Sequence, residues 1–155
     1  MKKLKVENFT DAPLQLSIKR VIKSSPEEIW NTLSDHQGMT QWMPMIKSVD
    51  LVKADENGQW GEGCERHCQF GPDLLKEKIV HWDAPYSYAY MIGDNHMVKG
   101  HLGHFSIEQK EEHCVVIWDQ YFHPQGVAVK KWIMKNIMMP SVMKKALKNL
   151  EKRAA

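Results

Sequence analysis

The chain has 155 residues, 43% of them apolar, and a formal charge of +2 at neutral pH. That length suits one domain with a sizeable core, and so small a net charge gives no argument for nucleic acid as a partner. No apolar run is long enough for a transmembrane span, and nothing apolar follows Lys2 and Lys3 to suggest a signal peptide. Three cysteines (Cys64, Cys68 and Cys114) build no disulfide framework, so a reducing, cytoplasmic setting is expected.

Met1 to Pro13 is polar and mixed and reads as a loose lead-in. Leu14, Leu16, Ile18 and Ile22 then alternate with polar residues, as in a strand with one buried face. Arg20 falls in the apolar register, either as a charge reaching solvent or as a polar group inside a cavity. In Ser24-Ser25-Pro26-Glu27-Glu28-Ile29-Trp30, Ser25 suits the N-cap, Pro26 the first helical position, and Glu28 completes a capping box. A short helix over Pro26 to Leu33 follows, burying Ile29, Trp30 and Leu33, and a second helical turn covers Met39 to Trp42 before Pro44.

Strands are expected at Ile46 to Val52, Gly63 to Phe70, Leu75 to Trp82 and Tyr86 to Ile92. Two more, Gly100 to Gln109 and Cys114 to Phe122, pair across Lys110 to His113. Cys64, Arg66 and Cys68 share one strand face; Glu65, His67 and Gln69 share the other. The glycine-free run from Val127 to Leu150 predicts a helix about 36 Å long at about 1.5 Å per residue. Val129, Trp132, Ile133, Ile137, Met139, Met143, Ala146, Leu147 and Leu150 form its apolar face, and Lys131, Lys135, Lys144, Lys145, Lys148 and Lys152 fall mostly opposite. Pro140 predicts a kink or restart. Met134 and Met138 project to the lysine side, covering a loop or forming an exposed stripe suited to a membrane or protein partner.

One strand, two short helices, about six consecutive strands and one long helix make an α+β chain with a bent antiparallel meander closed by the terminal helix. Such a sheet and helix leave a space between them that a single stripe of side chains does not fill.

The stretch Ile22-x-Ser24-Ser25-Pro26-Glu27-Glu28-Ile29-Trp30-x-x-Leu33-Ser34-Asp35, followed by Trp42-Met43-Pro44, resembles the opening of the polyketide cyclase and START-like superfamily. The likeness continues through Gly61-Glu62-Gly63-Cys64-Glu65-Arg66 and Glu77-x-Ile79-x-x-Trp82-Asp83-Ala84-Pro85. It closes with Val116-x-Trp118 and Phe122-x-Pro124, so it covers about residues 14–150 of one expected domain over 1–155. What the resemblance implies is a helix-grip fold, a curved sheet of about seven strands wrapped around the C-terminal helix. It also implies a lipid-, polyketide- or quinone-like ligand held between sheet and helix, with no shared catalytic residue to carry over. A cyclase or dehydratase using the same cavity, or a surface module for a chaperone, ribosome or membrane, are the alternatives.

Residues on inward registers near the helix are the pocket candidates: Trp42, Met43, Arg66, Glu77, Ile79, Tyr90, His104, Trp118, Gln120, Phe122, Ile133 and Ile137. Six tryptophans and ten methionines suit a deformable apolar cavity. Arg66 and Glu77, on neighbouring strands, either reach solvent or pair inside, because a buried lone charge is costly. For acid–base chemistry His104, Glu77, Tyr90 and Asp119 are available, with no nucleophile elbow, phosphate-cradling loop or dinucleotide fingerprint. The histidine and cysteine spacings match no zinc pattern, and neither metal nor cofactor is expected.

Overall fold

The computed structural model describes residues 2–154. Seven strands form one antiparallel sheet: β1 (Leu14–Ile22), β2 (Ile46–Lys53), β3 (Glu65–Phe70), β4 (Asp73–Asp83), β5 (Ser87–Ile92), β6 (Val98–Gln109) and β7 (Cys114–Pro124). Their order is β1-β7-β6-β5-β4-β3-β2, so the meander from β2 to β7 is completed by the first strand adding to the last. Between β1 and β2 lie α1 (Pro26–Leu33) and a 3-10 turn (Gln37–Gln41). The chain ends in α2 (Ala128–Ile133), a π-helical stretch (Met134–Met138) and α3 (Met139–Ala154). This is the helix-grip arrangement expected above.

The local signals in Ser25–Leu33 act as read. Ser25 Oγ accepts the Glu28 N–H at 3.2 Å while Glu28 Oε2 accepts the Ser25 N–H at 3.3 Å, which satisfies two otherwise orphaned donors. Ile29, Trp30 and Leu33 are buried. In α3 the apolar residues Met143, Ala146, Leu147 and Leu150 are buried against α1 and β1, with Lys144, Lys145 and Lys148 exposed. Arg20 resolves to the solvent-reaching alternative: it bonds Glu151 of α3 at 2.9 Å, with both side chains about one-third exposed. Asn149 Nδ2 donates to the Trp42 carbonyl at 3.0 Å, tying α3 to the turn before β2.

Three expectations are corrected. The lead-in is not loose: Thr10 Oγ1 donates to the Gly100 carbonyl at 2.6 Å, the Lys2 backbone N–H donates to Asp83 Oδ2 at 3.0 Å, and Ala12 is buried. Met1 lies outside the described residues. Leu14 is 49% exposed, because an irregularity between Leu14 and Leu16 takes it out of the phase of Leu16 and Ile18.

The third correction concerns the long helix. Val129, Trp132, Ile133 and Ile137 face outward, 45–63% exposed, while Met134 is buried and Met138 half-buried. A π-turn adds one residue to the helical repeat, which rotates everything before it by about 100° relative to everything after it. Pro140 supplies the reason. It has no N–H for the Asn136 carbonyl and its ring crowds that position, so the strain is absorbed in the wider turn just before it.

Candidate functional site: an internal cavity with one polar end

Between the concave face of the sheet and the C-terminal helix lies a cavity of about 100 Å³. Seven of the ten methionines line it, namely Met39, Met43, Met97, Met134, Met138, Met139 and Met143, with Phe70, Leu75, Ile92, Phe105 and Trp118. Ligand pockets are commonly several times larger, about 300–1,000 Å³. A bulky guest therefore enters only as these thioether chains move, and unbranched methionine, with three rotatable bonds, is the side chain best able to do so.

Apart from Asn95, on the loop between β5 and β6, the polar liners are Arg66, Glu77, Tyr90, His101 and Gln120, with Trp118 adding an indole N–H, and most are already engaged. Arg66 and Glu77 oppose each other on β3 and β4, and both are nearly fully buried. Arg66 Nε and Nη2 donate to the same carboxylate oxygen, Glu77 Oε1, at 2.9 and 2.8 Å. Nη1 donates to His36 Nδ1 at 2.8 Å, and the guanidinium lies 5.7 and 5.5 Å from the ring centres of Tyr88 and Tyr90. Burial alone would lower the Arg66 pKa, but the Glu77 carboxylate outweighs it and the guanidinium is held charged. The pair carries no net charge.

Two histidines complete this end. His36 Nδ1 accepts from Arg66, so its proton sits on Nε2, which donates to the Trp60 carbonyl at 2.7 Å. Burial first, and then the Arg66 charge, lower its pKa to about 4. His101 has the same tautomer: Nδ1 accepts the Ile92 N–H at 3.3 Å and Nε2 donates to Gln120 Oε1 at 2.5 Å. Its burial lowers it likewise to about 4, so both rings are neutral at pH 7. Gln120 Nε2 and Trp118 Nε1 both donate to Tyr90 Oη, at 3.4 and 3.1 Å. The phenol's two lone pairs are thus taken, and its own O–H has no acceptor among the described residues. Burial, then Glu77, raise the Tyr90 pKa well above its ordinary value, so the phenol stays protonated.

Gly103 makes this arrangement possible. It is the cross-strand partner of Tyr90, and a methyl group there would overlap the Tyr90 ring. The tyrosine lies flat across β6 in the space a side chain would occupy.

Of the twelve residues singled out from the sequence, Met43, Arg66, Glu77, Tyr90, Trp118 and Gln120 line the cavity. The other six lie elsewhere. Trp42 is buried edge-on to Phe105 at 6.2 Å between ring centres, and Ile79 is sealed in the core. Phe122 packs with Val98 and Met134 beside the cavity, and Ile133 and Ile137 point outward for the reason given above. His104 is on the other face of the sheet, opposite Asp119 and 6.1 Å from the His81 ring. There His104 Nε2 and Asp119 Oδ1 have no hydrogen-bond partner among the described residues. Of the four acid–base candidates, only Glu77 and Tyr90 share the cavity.

The residues not anticipated are chiefly His101, Phe105, Met134, Met138 and His36. His101 and Phe105 had a readable signal. With Gln109 and Cys114 paired across the four-residue loop, odd positions on β6 face the same side as even positions on β7, which puts Phe105 opposite Trp118. Near Gly100, whose φ is +63°, a one-residue shift between Lys99 and Leu102 then sets the end of the strand. Nothing in the sequence marked His36 as a partner of Arg66.

On the outer face, a groove of about 480 Å³ separates the lead-in from β4. Lys2, Lys3, Lys5 and Lys78 line it together with Leu4, Phe9 and Val80, and it is open to solvent. Among the described residues no group of three or more His, Cys, Asp or Glu side chains is placed to hold a metal ion, and no helix is long and apolar enough to cross a membrane.

Solved structures share this architecture. The XoxI protein of Bacillus cereus is 22% identical, with 88% of this chain and 92% of that one covered at a TM-score of 0.71. A Thermobifida fusca protein is 19% identical over 90% and 91%, with a TM-score of 0.73. A START superfamily protein of Mycobacterium smegmatis is 16% identical over 90% and 95%, with a TM-score of 0.71. At these identities the likeness is one of fold. No curated protein matches the chain. The family model described as polyketide cyclase / dehydrase and lipid transport matches residues 13–155, and the chain belongs to that family.

Proposed function

We propose that the protein binds a small, uncharged hydrophobic or amphipathic ligand, with its apolar body among the methionines and an oxygen-bearing group at the polar end. The observation that carries this is the Tyr90 O–H, a donor left unmatched beside a cavity whose other walls are apolar. The charge balance supports an uncharged ligand. Arg66 is matched by Glu77, and His36 and His101 are neutral at pH 7, so a ligand carboxylate would gain no net positive partner. Family membership supports the general class of guest.

Native mass spectrometry of freshly purified protein, followed by solvent extraction, tests the reading. A co-purified neutral molecule is expected, and Tyr90→Phe should weaken its binding by about 2–10-fold, the value of one hydrogen bond. Ligand-free spectra, together with no thermal shift from matched long-chain alcohols, ketones and carboxylates, would overturn it. A preference for the carboxylates would overturn the uncharged class alone.

A second reading, a cyclase or dehydratase, has one observation in its favour: Tyr90 and Glu77, a protonated phenol and a carboxylate, face the same cavity. It is distinguished by turnover, since a bound molecule recovered chemically unchanged belongs to the first reading.

A further inference from the structure

α2 contains no buried residue. On it and the loop before it, Val127, Val129, Trp132 and Ile133 are exposed, and Ile137 continues the ridge one turn further. Their exposures run from 45% to 63%, which is unusual for five large apolar side chains on one short segment. Lys130, Lys131 and Lys135 flank the ridge, and none forms an ion pair among the described residues. No carboxylate occurs between Asp119 and Glu151, while six lysines do. The next residues on the same helix, Met134 and Met138, line the cavity, so this wall is one helix thick and carries the ridge on its outer side.

We propose that this ridge docks on an anionic lipid bilayer surface, with Trp132, Ile133 and Ile137 entering the interfacial region and the three lysines meeting lipid phosphates. Tryptophan and branched aliphatics on one side, with lysines bordering them and no acid in the helix before Glu151, is the pattern of a helix that lies in a membrane interface. A second copy of this chain fits less well, because a two-fold contact through the ridge would set its lysines against their own symmetry mates. Docked this way, the protein presents the methionine wall of the cavity to the bilayer. The proposal does not rest on the ligand reading, because vesicle binding is measured without any ligand.

Flotation with phosphatidylcholine vesicles, with and without phosphatidylglycerol, tests it. The wild type should float with the phosphatidylglycerol vesicles, far less with phosphatidylcholine alone, and less as salt rises. Trp132→Ser combined with Ile137→Ser should lower partitioning about 100-fold or more, about tenfold or more for each of the two large interfacial side chains lost. Lys130→Gln, Lys131→Gln and Lys135→Gln together should lower it on the order of 100-fold. Replacing Lys144, Lys145 and Lys148 of α3 with Gln should change it much less. No flotation of the wild type would overturn the proposal, as would ridge variants that bind like the wild type. An effect of the α3 lysines equal to that of the ridge lysines would also overturn it, by making the attraction diffuse. A wild-type dimer in light scattering that Trp132→Ser dissociates would assign the ridge to a second copy instead. Melting curves of the ridge variants should match the wild type, since the substituted side chains pack against no core.

Discussion

The two halves of the C-terminal helix have similar composition and opposite roles. In α3 the apolar stripe is fully buried, and Met143, Ala146, Leu147 and Leu150 are each at most 1% exposed against α1 and β1. In α2 the apolar residues point outward, and only Met134 and Met138, from the π-turn, reach inside. One half holds the fold together and, through Met139, Val142 and Met143, also lines the cavity; the other turns most of its apolar side chains to solvent. The difference teaches that an apolar stripe on a helix reports a surface wanting cover, but not which surface. A single inserted residue at the π-turn separates the two outcomes.

The comparison is broken most severely at the Arg66–Glu77 pair, which stands between the cavity and the packed aromatic cluster. Arg66→Met leaves a buried carboxylate without its partner and should cost about 3–5 kcal/mol in urea unfolding, while adding Glu77→Leu should recover most of that. Next, Leu147→Ala should cost about 2–5 kcal/mol as a core cavity, whereas Ile137→Ala on the other half should stay within about 0.5 kcal/mol. Equal losses at the two positions would erase the contrast between the halves.

The pH dependence sharpens the same contrast. Burial, aided at His36 by Arg66, lowers His36 and His101 to about 4, below the 6.5 of an unperturbed imidazole. Below pH 6.5 the unfolded chain takes up protons that the folded chain refuses. Their stabilisation is therefore fully present above about pH 6.5 and lost as pH falls toward 4. Melting temperature should fall through that window, and His101→Gln should flatten the slope by up to about 1.4 kcal/mol per pH unit, one proton's worth. Gly103→Ala, which forces the Tyr90 ring aside, should cost about 1–3 kcal/mol. Its sharper effect should be a loss of ligand affinity at least as large as that of Tyr90→Phe.

Features governed by short-range chemistry were legible. The Ser25–Glu28 capping box and the face shared by Cys64, Arg66 and Cys68 follow from spacing, and the cost of a buried charge narrowed Arg66 and Glu77 to two alternatives, of which the structure takes the internal pair. Half of the proposed cavity lining was legible for the same reason: alternation along a strand assigns a face once one member is known to be inside. His101 was missed for His104 because the face of β6 depends on hairpin register and on a shift near Gly100, not on the pattern within the strand. The order of strands with the closing helix was thus set by the sequence itself, through periodicity, caps and turns acting over a few residues. Only the tertiary structure decided which way the helix's first half faces, how much room is left inside and which polar atoms remain unmatched there. Those depend on how a π-turn before Pro140 phases one element against another, and phase between packed elements is fixed by contacts between residues far apart in the chain.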